Sequence, residues 1–346
     1  MPADLRLSVL DQTPVSEGST AAEALRNSID LARLADELGY HRYWVAEHHG
    51  GGLVAGPSPE VLIGPIAAAT SRMRIGSGGV MLPHYSPLKV AESFTILAAL
   101  YPGRIDLGIG RAAGTDPMTT YALQRDRRQA APDDFPDQLA ELLAYLEDAL
   151  PPGHPFRHLA ATLPGRPELP VPWLLGSSPQ SAIWAGELGL PYAFADFINP
   201  QGSEIADLYR ERFAPVRELK APRVSVAAWV LCAPTEEEAR YLASSSRMTF
   251  TMLRRNQLIA VPSPEKATAF LQREGKSTSD YIPGRRGIIG SPEQVRAQIE
   301  ELAVSYGADE VIVVTITHDH GVRRRSYELI AEAMSLEPRE LSTVSA

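Results

Sequence analysis

The feature that most constrains this chain is its repeated alternation of short β-rich runs with longer helical runs. Eight runs have strand character: 5–10, 43–46, 75–82, 105–109, 173–175, 192–195, 224–231 and 310–316. Helical spacing follows the first run over 21–38, where Gly39 provides a C-terminal stop. Alternation of this kind is typical of a parallel sheet covered by helices. Eight β-α units predict an α/β fold, a single (β/α)8 TIM-type barrel.

A doubly wound nucleotide-binding sheet is the main alternative to a barrel. Such a sheet normally uses fewer strands and places a glycine-rich phosphate loop after the first strand. Residues 11–19, which follow the first run, contain no glycine triplet. We therefore predict one domain over 1–346.

Two stretches exceed the needs of a minimal barrel. Residues 112–136 follow the fourth strand, and residues 244–290 lie after the seventh, between the last two strands. Loops after barrel strands build the active site, so we expect both insertions to act as lids or substrate walls.

Charge and composition exclude several classes of partner. The formal net charge is −9, and no cluster of basic residues alternates with aromatic ones, which argues against nucleic acid and acidic membranes. A small-molecule partner is expected instead. The tightest basic run, 323–325, is interpreted as a solvated helix face, with an anion site as the alternative.

Cysteine usage and hydropathy indicate a cytoplasmic protein. Cys232 is the single cysteine, which excludes an internal disulfide and suits a reducing compartment. The first six residues lack the pattern of a signal peptide, and no apolar run approaches the roughly 20 residues that span a bilayer.

Three polar residues, Glu47, His48 and His49, directly follow the second strand. This position places them at the mouth of the predicted barrel, where catalytic groups gather. One histidine could serve a structural hydrogen bond, or an imidazole could act as an acid or base near neutral pH. Neighbours in extended chain point to opposite sides, and no third ligand stands nearby in sequence, so no metal site is predicted.

Glycines interrupt the third strand at Gly76, Gly78 and Gly79. Glycine weakens a strand and often marks the close approach of a ligand to the backbone. A simple β-bulge is the alternative explanation.

The end of the fourth strand carries Gly108, Gly110 and Arg111, followed by Gly114. The spacing resembles a dinucleotide fingerprint, but the sequence lacks the helix start and the later acidic residue that such a site needs. We interpret Arg111 as a fork for a phosphate or a carboxylate.

Serines cluster after the fifth strand, at Ser177, Ser178 and Ser181, where a helix begins. Backbone N–H groups and hydroxyls converge at such a helix start and can bind an anion. Ser178 could instead be a plain helix cap. With Arg111 on the same rim, a phosphate is the favoured ligand.

Four separated segments resemble the bacterial luciferase-like flavin monooxygenases. They are 43–49 (Tyr-Trp-Val-Ala-Glu-His-His), 79–83 (Gly-Val-Met-Leu-Pro), 103–111 (Gly-Arg-Ile-Asp-Leu-Gly-Ile-Gly-Arg) and 309–311 (Asp-Glu-Val). They recur in the family's order and cover nearly the whole chain. The resemblance implies a barrel enzyme with flavin mononucleotide (FMN) lying across its mouth.

The resemblance also implies roles for the residues singled out above. The flavin phosphate would contact Arg111 with the three serines Ser177, Ser178 and Ser181. The flavin ring would lie against Gly78 and Gly79, whose peptide bond is often cis in this family. His48 takes the catalytic position, with Glu47 holding the ring or the imidazole in place.

One position departs from the luciferases themselves. They carry a reactive cysteine beside the flavin where this chain has Gly110. The departure weakens the case for light emission and predicts more room over the ring, which would suit a bulkier substrate than a straight-chain aldehyde.

The family implies a reaction in which O2 adds to reduced FMN as a C4a-(hydro)peroxyflavin. The enzyme would then hydroxylate or epoxidise a hydrophobic organic substrate, such as a secondary metabolite. Because no nicotinamide site is found, a separate NAD(P)H:flavin reductase is expected to supply the reduced flavin. Two alternatives stay open: deazaflavin-dependent hydride transfer, and a noncatalytic flavin-binding subunit.

Assembly is predicted from the apolar helix over 59–70. It is apolar on nearly every face and therefore needs more cover than its own barrel provides. Together with 87–100 it would form the interface of a symmetric homodimer.

Overall fold

The computed structural model describes residues 5–111, 116–124, 126–129, 133–277 and 285–338. Nine strands are found in them: β1 Arg6–Asp11, β2 Arg42–Val45, β3 Arg74–Met81, β4 Ile105–Gly110, β5 Val171–Gly176, β6 Tyr192–Ala195, β7 Val224–Cys232, β8 Gly287–Gly290 and β9 Glu310–Val314. The helices are α1 Ala21–Leu38, α2 Pro59–Ala68, α3 Pro87–Leu100, α4 Pro117–Leu123, α5 Phe135–Glu147, α6 Arg157–Ala160, α7 Pro179–Glu187, α8 Ser203–Arg212, α9 Glu236–Leu242, α10 Ser244–Arg254, α11 Pro264–Arg273, α12 Pro292–Tyr306 and α13 His320–Met334.

Eight of the strands close into a parallel barrel, as the sequence predicts. Strands β1 to β7 pair in chain order, and β9 lies between β7 and β1 to complete the ring. The remaining strand, β8, lies outside the ring and pairs with β7. It falls inside the predicted insertion 244–290, and two of its four residues are glycine, which is depleted in strands, so the sequence gives little strand signal there.

The helix signals read from the sequence correspond to real caps. Thr20 caps α1 with its side chain, and Gly39 ends it in the left-handed conformation at φ 90°. Such a conformation is easiest for glycine, which explains why the helix ends there.

Apolar residues form two main cores and a third, small cluster of Leu231, Ala233 and Ala239. The larger core fills the space between the strands and the surrounding helices. A smaller core fills the barrel interior with Leu10, Trp44, Ala46, Trp173, Ala193, Ala227, Ile312 and Val314. Side chains of barrel strands alternate between these two cores, so the interior is packed and the open space lies at the mouth.

A buried ion network joins the N-terminal ends of the strands through Arg42, Arg74, Asp106 and Glu310. Arg42 lies 2.5 Å from both Asp106 and Glu310, and Arg74 contacts Asp106 at 2.7 Å. The network contains Arg42 from β2, Asp106 from β4 and Glu310 from β9, so it links strands that are distant in sequence. Asp106 and Glu310 belong to segments that carry the family resemblance, yet they lie at the end of the barrel away from the mouth.

The basic run 323–325 is not uniformly solvated, so that expectation was wrong for its first residue. Arg323 is 3% exposed and forms an ion pair with Asp11 at 2.6 Å. It lies on the face of α13 that packs on the barrel, where a buried carboxylate provides its counter-charge. Arg324 and Arg325 are more exposed and pair with surface acids.

Both predicted insertions contain helices. The first includes α4, and the second includes α10, α11 and the strand β8. Parts of each, residues 112–115, 125, 130–132 and 278–284, lie outside the described residues. Within the described ranges, no helix is both long and apolar enough to cross a bilayer.

Candidate active site

A cavity of about 460 Å³ opens where the barrel strands end. Residues from or after β1 to β7 line it together with the start of α7. Its volume falls within the range of about 300–1,000 Å³ that small-molecule and cofactor sites occupy. The carboxyl ends of parallel barrel strands are also where barrel enzymes place their active sites.

His49 is not among the residues that line this cavity, but nine of the candidate residues named from the sequence are. They are Glu47, His48, Gly78, Gly79, Gly110, Arg111, Ser177, Ser178 and Ser181. They come from four strands or the loops that follow them, and Glu47 and Ser181 are 134 positions apart in the chain. The barrel brings them together because all parallel strands end on the same side.

His48 is half-buried on the cavity wall. Its backbone N–H donates to the carbonyl of Gly56 at 2.9 Å, which holds the loop after β2. Its ring Nδ1 is buried and has no partner among the described residues. Burial, helped by the neighbouring His49, lowers the pKa of His48 to about 4, so the imidazole is neutral at pH 7.

Glu47 is buried and holds other parts of the site instead of His48. One carboxylate oxygen contacts His49 Nε2 at 2.8 Å, and the other accepts a hydrogen bond from the backbone N–H of Met81 at 2.9 Å. Tyr85 also forms a hydrogen bond with Glu47, and burial together with that carboxylate raises the pKa of the Tyr85 hydroxyl. Glu47 therefore ties the loop after β2 to the loop after β3. The imidazole it contacts is that of His49.

Folding supplies a third metal-ligating residue that the sequence did not reveal. Donor atoms of Glu47, His49 and His84 all lie within 4.8 Å of one another. The His49 and His84 rings meet edge to face, with centroids 5.7 Å apart. The three could share an ion, but the carboxylate oxygens of Glu47 already accept hydrogen bonds from the groups around them, which accounts for the cluster.

The glycines of β3 form the closely packed floor of the cavity. The Gly78–Gly79 peptide bond is cis, and the pairing of β3 with β4 shifts between Ser77 and Val80, as in a β-bulge. A Cβ at Gly78 would lie 2.6 Å from Leu10 Cδ1, and one at Gly79 would lie 2.7 Å from the Gly108 carbonyl oxygen. A side chain at Gly79 would therefore meet fixed backbone, whereas one at Gly78 would require Leu10 to move.

Met81 occupies part of the space beside Gly110, and the extra room over the ring that the sequence analysis expects there stays a prediction. A Cβ at Gly110 would lie 2.7 Å from Met81 Cε and 3.2 Å from its sulfur. The Met81 side chain reaches across from β3 and takes the space next to the glycine. Met81 thus replaces part of the volume that the missing side chain leaves.

Arg111 lies on the rim of the cavity with a half-exposed side chain. It contacts Asp133 at 2.9 Å, and its guanidinium stacks over Trp184 at 5.6 Å from the ring centroid. The ion pair is solvent-exposed and therefore weak, so an anionic ligand could compete for the guanidinium.

The three serines meet at the start of α7. Ser178 caps the helix, and together with Ser181 it forms a capping box. The Ser181 hydroxyl donates to the Ser178 carbonyl at 2.8 Å and lies 2.9 Å from the Tyr192 hydroxyl. The structure therefore confirms that Ser178 is a helix cap and places it on the cavity rim, whereas the anion site stays a prediction. The Ser181 hydroxyl is already engaged within the protein.

Aromatic and apolar residues that the sequence analysis did not single out also line the cavity. They include Phe135, Leu174, Trp184, Phe194, Phe197 and Ile198. Their positions after β5 and β6 would have been a usable signal, since residues at strand ends face the mouth. Phe135 begins α5 at the end of the first insertion, and no local pattern places it at the site.

Comparison with known proteins places the chain in a family. The family described as luciferase-like monooxygenase matches residues 5–310. The N-acetyl-S-alkylcysteine monooxygenase of Bacillus subtilis is 38% identical over 334 residues, covering 95% of this chain and 98% of that protein. The crystal structure of apo-MsnO8 is similar at a TM-score of 0.87 and 44% identity, covering 97% of this chain and 100% of that one.

A more distant structure shares the fold. The oxygenating constituent of 3,6-diketocamphane monooxygenase from Pseudomonas putida, a Baeyer-Villiger enzyme in complex with FMN, has a TM-score of 0.72 at 21% identity, covering 98% of this chain and 100% of that one. The match to the family over most of the chain agrees with the four segments found in the sequence. This chain belongs to the luciferase-like monooxygenase family of oxidoreductases.

Proposed function

We propose that this protein is an FMN-dependent monooxygenase that uses reduced flavin and O2 to oxygenate a hydrophobic organic substrate, by hydroxylation or epoxidation. The observation that carries the proposal is one cavity that combines a glycine floor, an arginine beside a helix N-terminus, and a neutral histidine. Each feature matches a different part of a flavin reaction.

The residues present fit a flavin mononucleotide. Gly78 and Gly79 leave a surface that any added Cβ would disturb, and a planar ring can lie against it. At the rim, Arg111 and the N-terminus of α7 beside Ser177 and Ser178 offer charge and N–H groups for a phosphate. When bound there, reduced flavin would supply the electrons that activate O2. Gly110 and Ser181 would complete the lining on this side.

His48 is proposed as the residue that moves protons. Because its imidazole is neutral at pH 7, it offers one N–H donor and one free lone pair to the cavity. A neutral imidazole can donate to a developing oxyanion or accept a proton from a reacting hydroxyl. Glu47 acts on it indirectly, because its contacts with His49 and Met81 fix the loop that carries His48.

The apolar wall favours a hydrophobic substrate. Phe194, Phe197 and Ile198 present carbon surface to the cavity, and such a wall also excludes water from a reactive site. Secondary metabolites are one source of substrates of this size and polarity. The two insertions, of which α4 and α10 are described parts, would serve as lids or substrate walls of this single-domain chain.

Assembly and electron supply complete the proposal. Helices α2 and α3 expose large apolar side chains, with Val61 69%, Ile96 45% and Leu100 65% exposed. A homodimer that buries this face would remove them from water, and light scattering at micromolar concentration should then give the mass of two chains. A separate NAD(P)H:flavin reductase would supply the reduced FMN.

An anaerobic titration of the protein with reduced FMN tests the proposal, followed by addition of isotopically labelled O2 and candidate substrates. We expect saturable binding and a product that carries one labelled oxygen atom. The His48→Ala variant should bind FMN normally and lose about 10²–10⁴-fold in turnover.

Other outcomes would select the alternatives. Binding of a reduced deazaflavin in preference to FMN, without O2 consumption, would favour a hydride-transfer enzyme. Tight FMN binding with no product from any substrate would favour a noncatalytic flavoprotein. A His48→Ala enzyme with full activity would remove His48 from the mechanism.

A further inference from the structure

A second, smaller cavity lies at the barrel mouth between β7, the end of β9 and the second insertion. Its volume is about 50 Å³, and its lining includes Trp229, Phe250, Arg247, Arg285 and Arg286. A buried water needs roughly 10–15 Å³ of such volume, so the space can hold a group the size of a carboxylate. Three arginines at one small cavity are unusual in a chain whose net charge is −9.

Arg285 is a charged side chain of this cavity. It is half-buried, donates one hydrogen bond to the Phe197 carbonyl at 3.3 Å, and stacks over Phe250 at 4.6 Å from the ring centroid. It forms no ion pair with any residue in the described part of the chain. Burial and the nearby charge of Arg254 lower the pKa of Arg285.

Arg286 serves a different purpose, because it holds the segment in place. Its guanidinium lies 3.6 Å from the buried carboxylate of Asp196 and donates to the Pro200 carbonyl at 2.9 Å. Asp196 directly follows β6, so this contact fixes the end of the insertion against the barrel. The neighbouring Arg285 is thereby held at the cavity.

Phe197 and Trp229 separate the small cavity from the main one. Phe197 lines the main cavity, Trp229 lines the small one, and their rings meet at 5.5 Å. The Phe197 backbone is also the acceptor for Arg285. A molecule whose apolar part lies in the main cavity could therefore place a polar end beside Arg285 by passing these two rings.

We infer that the small cavity is a subsite for the carboxylate of the substrate, bound by Arg285, so that the enzyme oxygenates hydrophobic organic acids. The planar guanidinium fork matches the geometry of a carboxylate, and the aromatic rings exclude water from the pair. The inference rests on the proposed function, because it assigns the substrate class to the same active site.

The test measures binding of matched acids and amides to the flavin-free protein by calorimetry. The probes are phenylacetate, 4-phenylbutyrate and 6-phenylhexanoate, each compared with its primary amide, because the series varies the distance between the ring and the charge. We expect at least one acid to bind ten times more tightly than its amide. In Arg285→Gln the affinity for that acid should fall about 10- to 100-fold, the range of a charged hydrogen bond, while the amide is unaffected.

Two variants control for folding and for general charge. Arg285→Lys keeps the charge but not the fork and should bind the acid with intermediate affinity. Arg273→Gln removes a charge from an exposed part of α11 and should retain the full preference for acids. Thermal unfolding of each variant shows that it is folded.

Several results would overturn the inference. They are equal binding of every acid and its amide, a preference for acids that survives Arg285→Gln, or weakened binding of reduced FMN in that variant, which would assign the arginine to the cofactor. Failure of the wild-type protein to bind reduced FMN would refute the proposed function, whereas the acid preference would still be measured separately.

Discussion

Replacing Arg42 by methionine should strongly destabilise the fold while leaving the cavity intact. Arg42 is 1% exposed and lies 2.5 Å from Asp106 and from Glu310. Methionine fills similar space but leaves two buried carboxylates without their main counter-charge. Removing one partner of a buried ion pair costs about 3–5 kcal/mol.

The contacts that survive keep the cost within that range. Asp106 retains Arg74 at 2.7 Å and Trp44 Nε1 at 3.0 Å, and Glu310 retains the Ser8 hydroxyl at 2.5 Å. A loss of about 4 kcal/mol is a large part of the roughly 5–15 kcal/mol that stabilises a typical domain. With a slope of about 3 kcal/mol per molar urea, the unfolding midpoint should fall by about 1 M or more.

Urea unfolding followed by tryptophan fluorescence measures this effect. Arg74→Met is the matched control, because Arg74 is 21% exposed and its removal leaves Asp106 paired with Arg42, so it should cost clearly less. In the double variant Arg42→Met/Glu310→Gln, the loss should be smaller than the sum of the single losses. A loss below about 1 kcal/mol for Arg42→Met would refute the reasoning, since it would mean that the buried carboxylates do not need this cation.

Three further predictions concern the site and the dependence on pH. Gly79→Ala should lower both stability and FMN affinity, since its Cβ would lie 2.7 Å from the Gly108 carbonyl oxygen. The control Gly153→Ala, whose Cβ would have nothing within 4 Å, should change neither. Equal effects of the two variants in FMN titration and urea unfolding would contradict this prediction. The His48 ring should show no NMR titration between pH 6 and 8 in the folded, ligand-free protein, because its pKa is lowered to about 4; a midpoint near 6.5 would show that it is hydrated. Thermal stability should fall in two stages on acidification. Between pH 6.5 and about 4 the unfolded chain protonates His48 while the folded protein does not. The second stage, below about pH 4, comes from the carboxylates Asp11 and Glu310. Burial opposes their charge, but Arg323 lowers the pKa of Asp11 below its ordinary 3.8, and Arg42 lowers that of Glu310 below 4.5. The two carboxylates therefore stabilise the fold fully above their ordinary pKa values, and this stabilisation is lost as the pH falls through the lowered pKa values. Constant stability from pH 7 to 5 would contradict the first stage.

The sequence determined the barrel and the positions of the site residues along it. Strand and helix periodicity are local properties, and they were enough to predict eight strands and the closed ring. Because parallel strands all end on the same side, knowing that His48, Arg111 and Ser178 follow strands was enough to expect them around one cavity. The strand β8 was missed because two of its four residues are glycine, which is depleted in strands.

Only the tertiary structure decided which side chains touch. Glu47 contacts His49, and His84 approaches both, because the loops after β2 and β3 meet in space. Arg323 is buried because α13 turns it towards Asp11, more than 300 positions away in the chain. The cavity beside Arg285 exists because an insertion folds back onto β7. Such contacts depend on how distant segments pack, and no local pattern in the sequence encodes that packing.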